Sequence, residues 1–213
     1  FSYTKCKGVR SYFPKPVLDH QKVAEAAALI NGAKKPYIVF GQGVILGQAE
    51  ELLKAVIEKT GIPAAWTILG LSALPSDHPL NVGMLGMHGN YGPNILTNEC
   101  DVLIAIGMRF DDRVTGNLAT YAKQAKVIHF EIDPAEVDKN VKTDVAVLGD
   151  VKESLAALLP LVEAKSHEAW HNEFKEKYKI ELESVINDEL NPKGEGISMG
   201  ETIEMINKHS NGD

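Results

Sequence analysis

The amino-acid sequence predicts an α/β fold: a doubly wound parallel sheet with helices on both faces, followed by a helical C-terminal connector. Two observations support this prediction. Short apolar runs such as Val102 to Ile106 alternate along the chain with amphipathic stretches of helical spacing, as in βαβ units. The runs are apolar at successive positions, which is typical of parallel strands that are buried on both faces and joined by right-handed crossovers.

The first half of the predicted domain begins with a helix. Asp19 can cap this helix, and Asn31-Gly32 supplies its end. The elements predicted next are a strand at 36–40, a helix at 48–59 that Gly61 ends, and a strand at 63–68.

The same alternation continues to residue 164. The elements predicted in this half are strands at 101–106, 126–132 and 145–148, a short helix at 119–123, and a helix at 150–164 with Asp150 as its N-cap. Together the two halves form one α/β domain at residues 15–164.

The remaining residues are predicted to connect this domain to others. Five apolar residues fall four apart on a charged helix, the pattern of a packing stripe: Trp170, Phe174, Tyr178, Leu182 and Ile186. A second helix at 199–208 follows a turn-rich segment. We interpret 165–213 as a helical connector and the start of a further C-terminal domain. Because the chain starts without Met, we interpret 1–14 as a linker from an N-terminal domain.

Composition and charge exclude several classes of partner. The 213 residues carry a formal net charge of −7, which argues against nucleic acid, because its binders present a basic face. No apolar run is long enough to span a bilayer, and the N-terminus lacks a signal-peptide pattern. Cys6 and Cys100 form no disulfide framework or metal spacing. We therefore expect a soluble, cytoplasmic protein without nucleic-acid or membrane partners.

Ligands of a doubly wound sheet bind beyond the carboxyl ends of the strands, so the loops there are the candidate site. Gly41 and Gly43 follow the first strand, where backbone N–H groups can approach a phosphate, although a merely structural tight turn explains them equally well. Residues 83–89, Gly-Met-Leu-Gly-Met-His-Gly, can lie flat against a planar ligand, or form an ordinary core loop.

Charged residues at three strand ends add to this candidate site. Residues 107–116 enclose two aspartates between two arginines, an arrangement that is costly unless the charges are paired or face a charged ligand. Glu131 and Asp150 also end strands, where a carboxylate can accept hydrogen bonds from ribose hydroxyls. Asp150 has an equally good explanation as a helix cap.

A short motif outside these loops points to a different chemistry. His167-Glu168-Ala169-Trp170-His171 matches the H-E-x-x-H pattern of zinc hydrolases, in which both imidazoles bind zinc from one helical face. Three fixed residues are a permissive test, and no Gly-x-x-His follows. A solvated helix is the favoured explanation.

Three blocks together resemble the central domain of acetolactate synthase large subunits: 83–89, Gly-Met-Arg-Phe-Asp-Asp-Arg-Val-Thr-Gly at 107–116, and His-Phe-Glu-Ile-Asp-Pro at 129–134. The resemblance runs from about Arg10 to Leu159. In that family two pyruvates, or pyruvate and 2-oxobutyrate, are joined with decarboxylation by a thiamine-diphosphate and magnesium enzyme of branched-chain amino-acid biosynthesis. The central domain of that family binds FAD, which does no net redox work.

The resemblance implies a set of FAD-binding residues. They are Gly41, Gln42, Gly43, Thr67, Ile68, Met84, Leu85, Gly86, Met87, His88, Gly107, Met108, Arg109, Asp111, Arg113, Val114, Glu131, Ile132, Asp150 and Val151. Among these, Glu131-Ile132 and Asp150-Val151 would hold the adenosine end. Met84 and Arg113 would also border the substrate channel.

The resemblance further implies how the chain works within a larger enzyme. Thiamine diphosphate and magnesium would be bound by missing N- and C-terminal domains, so the chain alone is expected to be inactive. The full-length enzyme would be a homo-oligomer and can carry a small regulatory subunit. The alternatives are the middle domain of another thiamine-diphosphate enzyme, such as pyruvate oxidase or oxalyl-CoA decarboxylase, a dehydrogenase-like NAD site, and a non-catalytic nucleotide-binding module.

Overall fold

A computed structural model of the chain describes residues 2–3, 15–194 and 196–210. The predicted linker at 1–14, apart from residues 2 and 3, lies outside the described residues, as do Cys6, Arg10 and the last three residues.

The described residues form one six-stranded sheet. Its strands are β1 (Pro36–Phe40), β2 (Ala64–Trp66), β3 (Asn81–Met84), β4 (Val102–Ile106), β5 (Lys126–Glu131) and β6 (Val145–Leu148). Their order across the sheet is β3-β2-β1-β4-β5-β6, and every neighbouring pair is parallel. The order reverses between β1 and β4, so the predicted doubly wound parallel sheet is confirmed.

Helices surround the sheet and continue beyond it. They are α1 (His20–Gly32), α2 (Gln42–Leu46), α3 (Glu50–Thr60), α4 (Tyr91–Leu96), α5 (Asp112–Thr115), α6 (Val151–Leu158), α7 (Glu168–Glu181), α8 (Asn187–Leu190) and α9 (Met199–Ser210). A π-helical segment, Leu182–Ile186, joins α7 to α8. Within the described ranges, no helix is long and apolar enough to cross a membrane.

The sheet separates two apolar cores because successive side chains of a strand point to opposite faces. In β1, Ile38 and Phe40 pack into the core beneath α1, α3 and α6, whereas Tyr37 and Val39 pack into the core beneath α4 and α7. All five residues of β1 are buried. This explains why the strand is apolar at every position instead of every second one.

The predicted helix caps at Asp19 and Asp150 are confirmed. The Asp19 carboxylate accepts a hydrogen bond of 2.9 Å from the backbone N–H of Gln21, and Asp150 accepts one of the same length from Lys152. The helix predicted at 150–164 stops at Leu158, however. Pro160 explains the early end, because proline has no backbone N–H to continue the helical hydrogen-bond pattern.

Two further predictions of local structure were wrong. Residues 119–123 form turns instead of a helix. The backbone N–H of Ala122 donates to the side-chain oxygen of Asn98 at 2.8 Å, and Ala122 has a φ of 46°, so a helical ladder does not form there. Conversely, Asn81–Met84 is a strand where the sequence predicts a loop.

The start of α7 belongs to the packed part of the molecule. Trp170 and Phe174 are each 2% exposed, and the indole N–H of Trp170 donates to the carbonyl oxygen of Pro36 at 2.8 Å. Tyr178, one turn further on, is 51% exposed. The predicted packing stripe is therefore confirmed for the first two of its five residues.

Candidate functional site

A cleft of about 600 Å³ opens at the carboxyl ends of the strands, around the reversal point between β1 and β4. Fourteen of the predicted site residues line it: Gln42, Gly43, Thr67, Ile68, Gly107, Met108, Arg109, Asp111, Arg113, Val114, Glu131, Ile132, Asp150 and Val151. Loops that are far apart in the sequence therefore form one site, of a volume usual for small-molecule pockets.

Other lining residues were not predicted. They are Lys15, Leu46, Gly47, Leu69, Phe130 and Gly149. Leu46, Leu69 and Gly149 adjoin predicted site segments, so extending each strand-end loop by a few residues would have found them. Lys15 precedes the first helix and carries no sequence signal, because only the fold brings it to the cleft.

The glycines after β1 and β4 pack directly against each other. The backbone N–H of Gly43 donates to the carbonyl oxygen of Gly107 at 2.8 Å, and that of Gly41 donates to Ile106 at 3.0 Å. Gly107 has a φ of +57°, and a Cβ built there would lie 2.9 Å from the Gly43 backbone. Close packing thus accounts for Gly41 and Gly43, whose N–H groups are already paired within the protein.

The loop after β4 presents charges at the cleft. Asp111 caps α5, where its carboxylate accepts from the backbone N–H of Arg113 at 3.1 Å. The Arg109 guanidinium lies 3.9 Å from the Asp111 carboxylate, and both side chains are well exposed. Arg113 is exposed and its guanidinium lies 3.8 Å from the Met87 sulfur. The two arginines are thus available to a ligand.

Residues 83–89 lie beside the cleft without lining it. The backbone N–H of Met87 donates to the carbonyl oxygen of Arg113 at 2.7 Å, and that of Leu85 donates to Trp66 at 2.9 Å. The Asn94 side chain bonds both the N–H and the carbonyl of Gly86. This second group of predicted residues is Met84, Leu85, Gly86, Met87 and His88, joined to the cleft through Arg113.

Glu131 is a buried carboxylate in the cleft wall. Its Oε1 accepts hydrogen bonds from the backbone N–H groups of Ile132 at 2.8 Å and Asp133 at 3.1 Å, and its Oε2 lies 3.5 Å from Nε2 of His129. Burial is the largest influence on its pKa and raises it, but these hydrogen bonds together outweigh burial and lower the pKa below 4.5. The cleft therefore contains a fixed negative charge at this point.

Asp150 is the second carboxylate of the wall. The Lys15 ammonium lies 2.8 Å from it, and this hydrogen bond is the main reason that the pKa of Asp150 falls below its ordinary value of 3.8. Because Asp150 also caps α6, the cap explanation and the ligand explanation are compatible.

The H-E-x-x-H residues do not form a pair on one helix face. His167 precedes α7 with non-helical backbone, φ −114° and ψ 43°. Its imidazole interacts with the backbone of Lys34, whereas that of His171 interacts with the backbone of Pro79. In the described part of the chain, no group of three or more His, Cys, Asp or Glu side chains is placed to hold a metal ion.

Comparison with known proteins places the chain in a class. Residues 23–158 match the central domain of thiamine pyrophosphate enzymes. This range is more than half of the chain, so the chain belongs to that family. All six strands of the sheet lie within this range, as do the residues that line the cleft, except Lys15.

The most similar relatives include acetolactate synthase large subunits. The chain is 45% identical over 175 residues to a probable acetolactate synthase large subunit of Methanocaldococcus jannaschii, covering 80% of this chain and 29% of that protein. It is 44% identical to the large subunit of Parasynechococcus marenigrum, covering 79% and 28%. It is 42% identical to the isozyme 1 large subunit of Escherichia coli, covering 73% and 27%. The chain thus spans less than a third of the length of these curated relatives.

Proposed function

We propose that this chain is the central domain of an acetolactate synthase large subunit and that its strand-end cleft binds FAD. The observation that carries the proposal is the convergence of fourteen predicted residues on one cleft. The relatives named acetolactate synthase support the choice within the family.

The residues of the cleft fit an FAD molecule chemically. Leu46, Ile68 and Leu69 are 74%, 65% and 58% exposed, and such side chains at a cleft favour contact with a planar apolar ring. Arg109 and Arg113 are exposed cations that suit a diphosphate. Glu131 keeps an acceptor oxygen, Oε2, that suits a ribose hydroxyl.

These properties suggest how the ligand would lie. Glu131-Ile132 and Asp150-Val151 would hold the adenosine end, and residues 107–114 the middle of the molecule. Met84 and Arg113 would border the channel that leads to the substrate. The segment 84–88 would influence the ligand through Arg113, because it contacts that residue and does not line the cleft.

The reaction of the parent enzyme would need more than this chain. Thiamine diphosphate, when bound with magnesium, supplies the electron sink that permits decarboxylation of pyruvate. We place both in other domains of a cytoplasmic homo-oligomeric transferase that condenses pyruvate with pyruvate or 2-oxobutyrate, with or without a regulatory subunit. The contribution of this chain would be to hold FAD and to shape the channel, and it would form no acetolactate alone.

Calorimetric titration of the chain with FAD, ADP and NAD tests this proposal. We expect FAD to bind more tightly than ADP, because the flavin adds contacts with the apolar rim, and NAD to bind weakly. Tight ADP binding without any gain from the flavin would favour the middle domain of a different thiamine-diphosphate enzyme. Selective NAD binding, or no binding of any of the three, would contradict the proposal.

A further inference from the structure

His129 is a buried histidine that contacts two residues of the cleft wall but does not itself line the cleft. It lies on β5 and is 0% exposed. Its Nε2 is 2.9 Å from the carbonyl oxygen of Met108 and 3.5 Å from Oε2 of Glu131. Because a carbonyl oxygen only accepts hydrogen bonds, Nε2 carries a proton and donates it to Met108. Met108 and Glu131 line the cleft, whereas His129 does not.

The two groups that His129 contacts belong to different strand ends. The Met108 carbonyl is part of the peptide bond that leads into Arg109, directly after β4. Glu131 ends β5, and the backbone N–H groups of Ile132 and Asp133 occupy its Oε1. Within the described residues, His129 is the polar side chain that contacts Oε2.

Packing alone does not explain an imidazole at this position. The ring lies edge-on against Phe110 with a centroid distance of 5.0 Å. Its Nδ1 is buried and has no hydrogen-bond partner among the described residues. An unpaired buried polar atom is unfavourable compared with an apolar side chain of similar volume. The property that favours a histidine at this position is therefore the N–H donor at Nε2.

We infer that His129 is a positioning residue of the nucleotide cleft, which fixes the Met108 carbonyl and the Glu131 carboxylate relative to each other. By this contact it orients the acceptor oxygen of Glu131 that would meet a ribose hydroxyl, and it fixes the start of the loop that carries Arg109. The inference rests on the proposed function, because it assigns His129 a role in that same site.

Ligand affinity separates positioning from packing. His129→Leu removes the donor and keeps much of the volume, whereas His129→Gln keeps an N–H donor near the position of Nε2. We expect the leucine variant to bind ADP about tenfold more weakly, because a hydrogen-bonded charged group loses its support. The glutamine variant should stay within about twofold of the unchanged chain. Equal losses in both variants would overturn the inference.

Tyr121→Phe is the matched control. Tyr121 is 7% exposed, packs into the same core as Phe110, and carries a buried hydroxyl that has no hydrogen-bond partner in the described part of the chain. Loss of the Tyr121 hydroxyl should leave ADP affinity unchanged. A loss as large as that of His129→Leu would show that any change in this core weakens binding, and would overturn the inference.

A double-variant cycle tests whether His129 acts through Glu131. In a Glu131→Gln background, we expect His129→Leu to have much less effect on ADP affinity than in the unchanged chain, because the group that it positions has lost its charge. Fully additive effects would contradict positioning through Glu131.

Measurements without ligand keep the inference separate from the proposed function. In NMR spectra of the ligand-free chain, His129→Leu should shift the Arg109 amide and the Glu131 carboxyl resonance, and His129→Gln should restore both. Unchanged resonances in the leucine variant would overturn the inference even if ADP binds. If the unchanged chain binds neither ADP nor FAD, the proposed function fails, while these spectra still decide the role of His129. Should the leucine variant not fold, His129→Asn, whose amide is too short to reach Met108, replaces it.

Discussion

Lys15 and Asp150 form an ion pair at the edge of the cleft, with 2.8 Å between the ammonium and the carboxylate. Lys15→Ala would leave the Asp150 charge uncompensated beside an anionic ligand. We expect FAD to bind about two- to fivefold more weakly, and the loss to grow at low ionic strength. The measurement is the FAD dissociation constant at two salt concentrations.

Lys126→Ala is the matched control for this prediction. Lys126 pairs with Asp144, also at 2.8 Å, and its side chain is 64% exposed against 65% for Lys15. Lys126 is not among the residues that line the cleft. If both alanine variants weakened FAD binding equally, the effect would be one of net charge, and Lys15 would have no place in the site.

Gly107 tests the close approach of the two glycine turns. Gly107→Ala would place a Cβ 2.9 Å from the Gly43 backbone, at a φ of +57°. Gly116→Ala, at a φ of +56°, carries backbone strain without the clash, because no described residue other than its chain neighbours has an atom within 4 Å of the added Cβ. We expect Gly107→Ala to be the more destabilising by about 1–3 kcal/mol, measured by urea unfolding. Equal free energies of unfolding would contradict the assigned packing role.

The site residues that could be predicted from the sequence are those that lie at the ends of predicted strands. Arg109, Glu131 and Asp150 follow apolar runs in the sequence, and parallel strands bring such positions to one edge. Lys15 was not predictable, because it precedes the first helix and reaches the cleft only through the folded chain. For Gly41 and Gly43 the sequence allowed both a structural turn and a phosphate contact, and their packing against Gly107 supports the structural role.

Among the elements, α7 shows that a stretch of sequence predicted as a connector packs on the sheet. Trp170→Ala would remove a side chain that is 2% exposed and its hydrogen bond to the Pro36 carbonyl. We expect the free energy of unfolding to fall by about 3–5 kcal/mol. Tyr178→Ala, on the same helix at 51% exposure, should cost under about 1 kcal/mol. If both variants lowered the free energy of unfolding by similarly small amounts, α7 would not unfold cooperatively with the sheet.

The histidines at the start of α7 predict how stability depends on pH. Burial is the main cause that lowers the pKa of both His167 and His171 from 6.5. The unfolded chain therefore binds more protons than the folded chain as pH falls through this range, so the free energy of unfolding should decrease between about pH 7.5 and 5.5. Urea unfolding across this range measures the slope.

Replacing both histidines by glutamine should reduce that slope, because the two half-buried imidazoles are its source. The aspartates with lowered pKa values, such as Asp150, lose their contribution only at lower pH, below their ordinary value of 3.8. An unchanged slope in the double glutamine variant would contradict the assignment.

Strands were predictable from the sequence where a run of five or six residues is apolar almost throughout. The strands β1, β4 and β5 are five or six residues long and almost wholly buried. β3 has four half-buried residues that include Asn81 and Gly83, and it is ordered by pairing with β2 instead of by its own sequence. The predicted helix at 119–123 fails because the Asn98 side chain takes the backbone N–H of Ala122, which has a φ of 46°.

For the whole molecule, the strand order accounts for the position of the site. The chain passes from the β1–β3 half of the sheet to the β4–β6 half, and the loops after β1 and β4 leave in opposite directions. This produces the cleft whatever the ligand. The identity of the ligand depends on the residues that the loops carry and on the family to which residues 23–158 belong.

An NMR titration of the chain with FAD decides whether the strand-end cleft binds FAD, because it reports binding and location together. We predict that backbone amides of Gly107 to Val114, Glu131, Ile132 and Val151 shift with saturable dependence on FAD, while Lys142 and Thr143, which lie away from the cleft, do not. If saturating FAD leaves the cleft amides unchanged, or if the shifts are centred elsewhere on the molecule, the cleft is not an FAD site.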